Sequence, residues 1–278
     1  MSQVELMMRS AAKRTIGGVN RAMAPFVRFS VPPYGLMRRT GAKSLWHYWD
    51  GGIRSYLPIA VLARHYGVNL RSGVAVLDFG CGVGRQLLHF TRDYPRPQYA
   101  ACDVHPQYVE FVARAYPQVS ASVSPFHPPL TYAEDQFDML YSVSVFSHLH
   151  PDIHAQWLKE LARVVKPGGY AFLTIEGATA MRRTMARTVW GENSDEALAV
   201  LERYGVRFSE YKDYAWQKTH EGQAFVGMKY GGVVGSYGNT AMTPAHVQQH
   251  WSGLGFEVVA VVEGVIDRRL DVVALRAS

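Results

Sequence analysis

The sequence predicts an α/β protein with a mostly parallel sheet covered by helices on both faces. Three observations carry this reading. Between residues 74 and 176, short apolar runs alternate with segments of helical spacing, the order that builds parallel βαβ units with right-handed crossovers. The apolar runs are nearly continuous, as strands buried on both faces require. A glycine-rich turn, "DFGCGVGR", joins the first run to the first helix, at the edge where an open sheet of this kind binds its ligand.

The length allows one large domain with additions, or two small ones. The 278 residues are 48% hydrophobic and 19% charged, the balance of a globular protein with a full core. No apolar run reaches about 18 residues, so no membrane span is expected, and residues 1–30 lack the pattern of a secretory signal. The two cysteines, Cys81 and Cys102, form no C-x-x-C pair. They argue against a disulfide framework or structural zinc and suit a reducing cytoplasm, the expected location. Residues 1–43 hold eight cations against Glu5, or +7 of the total +6, leaving the other 235 residues near neutrality at −1.

Taken in order, Val4, Met8, Ala11, Ala12, Ile16, Val19 and Met23 recur at helical spacing, and Pro25 ends the segment. This basic amphipathic arm packs on the main domain or a second subunit, as in a homodimer, or it touches an anionic inner membrane face or a lipid-linked acceptor through residues 1–28. Residues 30–43 read as a loop, and a helix follows over about 53–66 with Gly67 as its cap. Residues 1–70 together form the arm and a lid, and the α/β domain occupies 71–278. Strands are expected at Val74–Phe79, Gln98–Asp103, Val119–Val123, Phe137–Val145 and Tyr170–Ile175. Helices are expected at Arg85–Asp93, Pro106–Tyr116 and Pro151–Val165, and "KPGG" at 166–169 is a turn. The alternation breaks at Gly177. Residues 178–243 form an insertion with a helical piece near Glu196–Tyr204 and a Gly/Tyr-rich stretch. Thr243 and Pro244 then open another helix, and the chain ends in strands.

The glycine turn admits two ligands. A dinucleotide loop reads G-x-G-x-x-G, but its third glycine would fall at Arg85. Asp78, two residues before the first glycine, would repel a pyrophosphate and welcome an ammonium. S-adenosylmethionine (SAM) has an ammonium and no phosphate. The next acid, Asp103, ends the second strand about 20 residues on, the spacing of a carboxylate that accepts from ribose hydroxyls.

At this point the segment 74–176 resembles the class I SAM-dependent methyltransferases, in the branch that methylates hydroxyls of small molecules and sugars. "VLDFGCGVGR" matches their D/E-x-G-x-G-x-G motif, "ACDVHP" their acidic second-strand motif, and "FDMLYSVSVFSHL" and "ELARVVKPGGYAFLT" their fourth and fifth strands. The resemblance implies a Rossmann-like seven-stranded sheet whose residues 254–276 form an antiparallel C-terminal hairpin. It implies that Asp78, Gly80, Cys81, Gly82 and Gly84 line the methionine end of SAM and Asp103 holds the ribose. Val104, His105 and Phe126 then flank the adenosine, in a place ("SVSPFHPPL") that carries no acid, and Ser142 and Val143 pass the sulfonium. S-adenosylhomocysteine is the expected product, and a divalent metal is possible but not expected, since no tight ligand spacing stands out.

The acceptor is read from what surrounds this core. Methyl transfer needs in-line alignment and, for an aliphatic hydroxyl, a base. His148 and His150 follow the fourth strand and Glu176 the fifth, so these three are the candidate catalytic residues, and His47, Asp50 and His220 could also reach the site. Trp46, Tyr48, Trp49, Tyr214 and Trp216, with Tyr211, are aromatics outside the sheet that would form a lid and acceptor platform. No N/D-P-P-Y/F element follows the fourth strand and the body is nearly neutral, which speaks against nucleic acid. The expectation is therefore O-methylation of a small or carbohydrate-like acceptor. N- or C-methylation of a natural product, and a non-catalytic SAM-binding partner protein, are the alternatives; a nicotinamide oxidoreductase is a further one.

Overall fold

Five apolar runs become the parallel centre of the sheet. They form β1 (Ala75–Phe79), β2 (Gln98–Asp103), β3 (Val119–Val123), β4 (Phe137–Ser142) and β5 (Val165–Glu176), hydrogen-bonded in the order β3-β2-β1-β4-β5. A computed structural model describes residues 29–177, 179–180, 217–220, 223–227 and 238–278, and side chains outside 217–239 within these ranges except Pro151. The expected arm helix, the helical piece near Glu196–Tyr204, and Tyr211, Tyr214 and Trp216 lie outside the described residues, as does the His220 side chain.

Alternation along β1 sends Val76 and Asp78 to one face and Leu77 and Phe79 to the other. The first face is covered by α1 (Tyr34–Arg39), α2 (Leu45–His65), α3 (Leu87–Asp93) and α4 (Pro106–Ala115). The second is covered by α5 (Pro151–Val164) and α6 (Pro244–Trp251), whose Trp157, Leu158, Leu161, Val247 and Trp251 are buried. The chain ends in β9 (Phe256–Ile266) and β10 (Leu270–Ala277), and β10 runs antiparallel between β5 and β9. The expected hairpin and the helix-covered faces are present.

Four elements depart from the sequence reading. Residues 30–43 are not all loop: Met37, fully buried, anchors the short helix α1. Helix α2 starts eight residues before the expected 53, because the Ser44 hydroxyl accepts from the His47 backbone N–H (3.1 Å) and carries the helix through Gly51, Gly52 and Pro58. Strand β4 stops at Ser142, and Ser144 turns the chain with φ +60°. The "KPGG" turn is instead a bulge within β5: Val165 pairs with Phe137 and Tyr170 with Met139, with Gly168 at φ +76°. The insertion supplies strands of its own, β6 (Gln217–His220), β7 (Gln223–Gly227) and β8 (Gly238–Met242), so among the described residues the sheet has ten strands where seven were expected. The extra three are an antiparallel ladder joined to the sheet through one parallel pair, Glu176 with Ala241.

Between β9 and β10, Asp267 and Arg268 both have positive φ (+55° and +51°), and the Arg269 N–H donates to the Ile266 carbonyl (3.0 Å). This I′-type turn brings Asp267 and Arg269 to the carboxyl edge of the sheet.

Candidate functional site

The loop after β1 is shaped by its own backbone bonds. The N–H groups of Gly80 and Cys81 both donate to the Cys102 carbonyl at the end of β2 (2.9 and 3.0 Å). Gly82 N–H donates to Asp103 Oδ2, and His105 N–H to Asp103 Oδ1, each at 2.9 Å. Gly84 at φ +70° lies so close to α4 that an added Cβ would stand 2.7 Å from Tyr116 Cε2. The Tyr48 hydroxyl donates to the Val83 carbonyl (3.0 Å), and the Tyr116 hydroxyl to the Gly84 carbonyl (3.3 Å). Helices on one face thus clamp the loop open at the sheet edge.

Beside it lies a cavity of about 800 Å³ at the carboxyl ends of β1, β2 and β4, the switch point where strand order reverses. Eight of the eleven residues expected at the cofactor line it: Gly80, Cys81, Gly82, Asp103, Val104, His105, Phe126 and Val143. These eight lie on four separate loops, so the fold converges on them. Asp103 is 8% exposed, and burial raises its carboxyl although backbone N–H groups oppose the shift. Each of its oxygens has one backbone donor and room for another, as a ribose diol needs.

The other three expected contacts stand behind the wall. Asp78 points to the opposite face from Phe79, is 2% exposed and accepts from the Tyr141 hydroxyl (3.0 Å). Burial, with Asp103 nearby, pushes its carboxyl up to about 8 against the Tyr141 bond. Ser142 is fully buried and donates to the Phe79 carbonyl (2.8 Å), tying β4 to β1. Gly84 packs on Tyr116 as described.

Among the catalytic candidates, only His148 lines the cavity. Its backbone N–H donates to the Val145 carbonyl (2.8 Å). Glu176, 7% exposed, pairs with Arg269 at 3.0 Å and lies near His148; burial raises its carboxyl while the Arg269 guanidinium opposes the shift. His150 is the N-cap of α5, its Nδ1 accepting from the Asp152 N–H (3.2 Å). Of the expected acceptor aromatics, the described ones, Trp46, Tyr48 and Trp49, do not line the cavity. Tyr48 is core, holding the glycine loop; Trp46 is 68% exposed and packs on Trp49 (5.4 Å), which in turn meets His89 edge-on (6.1 Å). The reason is helical: α2 turns His47, Gly51, Arg54 and Ser55 toward the cavity instead.

Sequence reasoning also missed a set of cavity cations. Arg39, Arg54, Arg85 and Arg269 line it. Arg54 pairs with Asp50 (2.6 Å) and Asp267 (2.9 Å), and Arg39 donates to Gln107 (3.3 Å). Arg85 was legible in the motif as the residue that excludes a dinucleotide; the hairpin-tip residues carried no sequence signal. Among the described residues, no group of three or more His, Cys, Asp or Glu gathers as a metal site, and no helix is long and apolar enough to cross a membrane.

The sheet order, the helix layers and a ligand-sized cavity on a glycine loop define the fold of the class I SAM-dependent methyltransferases. Residues 76–169, about a third of the chain, match the family model described as a methyltransferase domain. The chain is 35% identical over 102 residues to 2-methyl-6-phytyl-1,4-hydroquinone methyltransferase from Synechocystis, covering 36% of this chain and 31% of that protein. It is 26% identical over 173 residues to the tRNA N(3)-cytidine methyltransferase METTL6 of Homo sapiens, covering 59% and 57%. The chain thus spans about a third to just over half the length of these curated relatives. Among solved structures, 1,6-didemethyltoxoflavin-N1-methyltransferase of Burkholderia thailandensis, with its 1,6-didemethyltoxoflavin and S-adenosylhomocysteine, aligns with TM-score 0.52 over 91% of this chain and 92% of that one, at 16% identity. That likeness is one of fold.

Proposed function

We propose that this chain binds SAM in the cavity at the carboxyl edge of the sheet and transfers its methyl group to a nitrogen or carbon of a small-molecule acceptor. One observation carries the cofactor half: eight residues expected from the motifs, Asp103 among them, line a single cavity. The bound cofactor supplies the methyl group on a sulfonium. The chain's part is orientation. Asp103 holds a diol, Phe126 and Val104 pack the base, and the loop from Val143 to His148 borders the space left for the acceptor.

Nitrogen or carbon is favoured because the carboxylates near the acceptor side are already engaged. Glu176 is paired with Arg269 and Asp78 is turned away toward Tyr141. An acceptor with its own lone pair or enolate needs alignment more than a base. Two of the compared proteins are named for nitrogen, one on cytidine and one on a toxoflavin precursor. O-methylation is the second reading, and the observation for it is His148 in the cavity wall.

Calorimetry tests the cofactor: S-adenosylhomocysteine binds and NAD does not, and the reverse result ends this reading. The acceptor is tested by a library of small amines, enols, phenols, sugars and unmodified tRNA, read by S-adenosylhomocysteine release and product NMR. A product methylated on oxygen, together with loss of turnover in His148→Ala at unchanged cofactor affinity, replaces the main reading with the second. Turnover on tRNA alone overturns the small-molecule class. We also assign the protein to the cytoplasm and residues 1–28 to contact with an anionic bilayer; flotation with anionic vesicles must fail when residues 1–28 are removed.

A further inference from the structure

Four arginines line the cavity, and three of them have partners that account for them. Arg54 is held by Asp50 and Asp267, Arg269 by Glu176, and Arg39 by the amide of Gln107. Arg85 differs: its guanidinium makes no ion pair and no side-chain hydrogen bond among the described residues. Burial lowers its pKa, the more distant Asp267 and Tyr48 oppose that, and Arg54 adds to it. Arg85 keeps part of its surface exposed, and a cation drawn part of the way out of water without a counterion is costly until a ligand completes it.

The neighbouring helix is built to leave this group its place. Helix α2 carries a Gly51–Gly52 pair near its middle, where each glycine costs about 1 kcal/mol relative to alanine. A Cβ at Gly51 would lie 3.3 Å from Arg85 Nη1, and a Cβ at Gly52 2.7 Å from the Arg85 carbonyl. The pair therefore lets α2 approach the Arg85 backbone while the guanidinium reaches the cavity beside Gly51, Ser55 and Gln86. Gln86 donates to the Ser55 hydroxyl (2.9 Å), which in turn donates to the Gly51 carbonyl (2.7 Å), so the neighbours are fixed by bonds of their own.

We propose that Arg85 is the anion anchor of the cavity, a site for a carboxylate or phosphate. This rests on the methyltransferase reading for the identity of the ligand, and two sources supply the anion: the amino-acid carboxylate of the cofactor, or an acidic group on the acceptor. Both are planar or tetrahedral oxyanions that a guanidinium grips through two N–H groups.

The test uses the full chain and two substitutions. Arg85→Met removes the charge, and Gly51→Ala crowds it while improving the helix, so a purely structural role would leave Gly51→Ala with undiminished binding. Binding of S-adenosylhomocysteine and of 5′-methylthioadenosine, which lacks the amino-acid part, is measured by calorimetry. Inorganic phosphate is then titrated into the S-adenosylhomocysteine complex. If the anion is the cofactor's, Arg85→Met weakens S-adenosylhomocysteine by roughly 10- to 100-fold and spares 5′-methylthioadenosine, and Gly51→Ala weakens it in the same selective way at an equal or higher melting temperature. If the anion is the acceptor's, cofactor affinity holds and phosphate binds the wild-type complex but neither variant complex. The proposal is overturned if both nucleosides weaken equally, or if neither they nor phosphate respond. Should wild type bind neither nucleoside, the cofactor reading fails by itself, and phosphate titration of the free protein still decides Arg85.

Discussion

Asp78 and Asp103 end neighbouring strands on the same face of the sheet, yet only Asp103 reaches the cavity. Asp103 spends one lone pair of each oxygen on a backbone N–H, so Asp103→Ala loses both the ribose contact and part of the loop's frame. The expected result is S-adenosylhomocysteine binding weakened roughly 10-fold or more, with a cooperative melt retained; calorimetry at equal affinity would remove the ribose role. Asp78 makes a pH prediction. Its folded carboxyl is raised to about 8 from an ordinary 3.8, so the folded chain keeps a proton that the unfolded chain has released. Stability should therefore fall as pH rises from 7 to 8, the part of the window clear of histidine titration and of Asp271, raised only to about 6. Asp78→Asn keeps an acceptor for Tyr141 and should flatten that slope in urea titrations. Both acids were legible as motif positions, but which one faces a ligand was not, because they share a face and only the strand register, with Asp78 opposite Ala101 and Asp103 two residues nearer the carboxyl edge, decides which reaches the cavity.

At the scale of elements, the glycine loop was the most legible feature, and its glycines turn out to serve the protein as much as any ligand. A Cβ at Gly80 would collide with Val145, one at Gly82 would stand 3.0 Å from Thr40 Cγ2, and Gly84 meets Tyr116. Gly84→Ala combines a left-handed backbone with a clash and should cost about 2 kcal/mol or more by denaturant unfolding, although Gly84 does not line the site cavity. Destabilisation below about 0.5 kcal/mol would mean that α4 yields freely. Strands β2 and β3 match their sequence boundaries because turn residues and helix caps bracket them. Helix α2 did not, because Gly51, Gly52 and Pro58 read locally as breakers, while Ser44 capping and burial of Tyr48, Tyr56, Ile59 and Ala63 outweigh them. The same glycines explain why the aromatic cluster was misplaced: a helix beginning at Leu45 rotates Tyr48 into the core and His47 toward the cavity.

For the whole molecule, a ligand that binds only the folded chain must stabilise it. At a hundredfold excess over its dissociation constant, S-adenosylhomocysteine should add about 2.7 kcal/mol and raise the melting temperature by several degrees, while NAD leaves it unchanged. Thermal scans at several concentrations check this, and a concentration-independent melt would count against the cavity as a nucleoside site. The division of information is also clearest at this scale. The sequence by itself determined the parallel centre of the sheet and excluded the dinucleotide fingerprint at the glycine loop, while the terminal hairpin was implied by the family resemblance. The first two follow from periodicity and from residue spacing, and both are local along the chain. Tertiary structure alone decided that the insertion extends the sheet through Glu176 and Ala241, that the hairpin tip brings Arg269 to Glu176, and that α2 opens a gap for Arg85. Each of these joins residues far apart in sequence, and only packing brings them within the few ångströms over which charge and shape act.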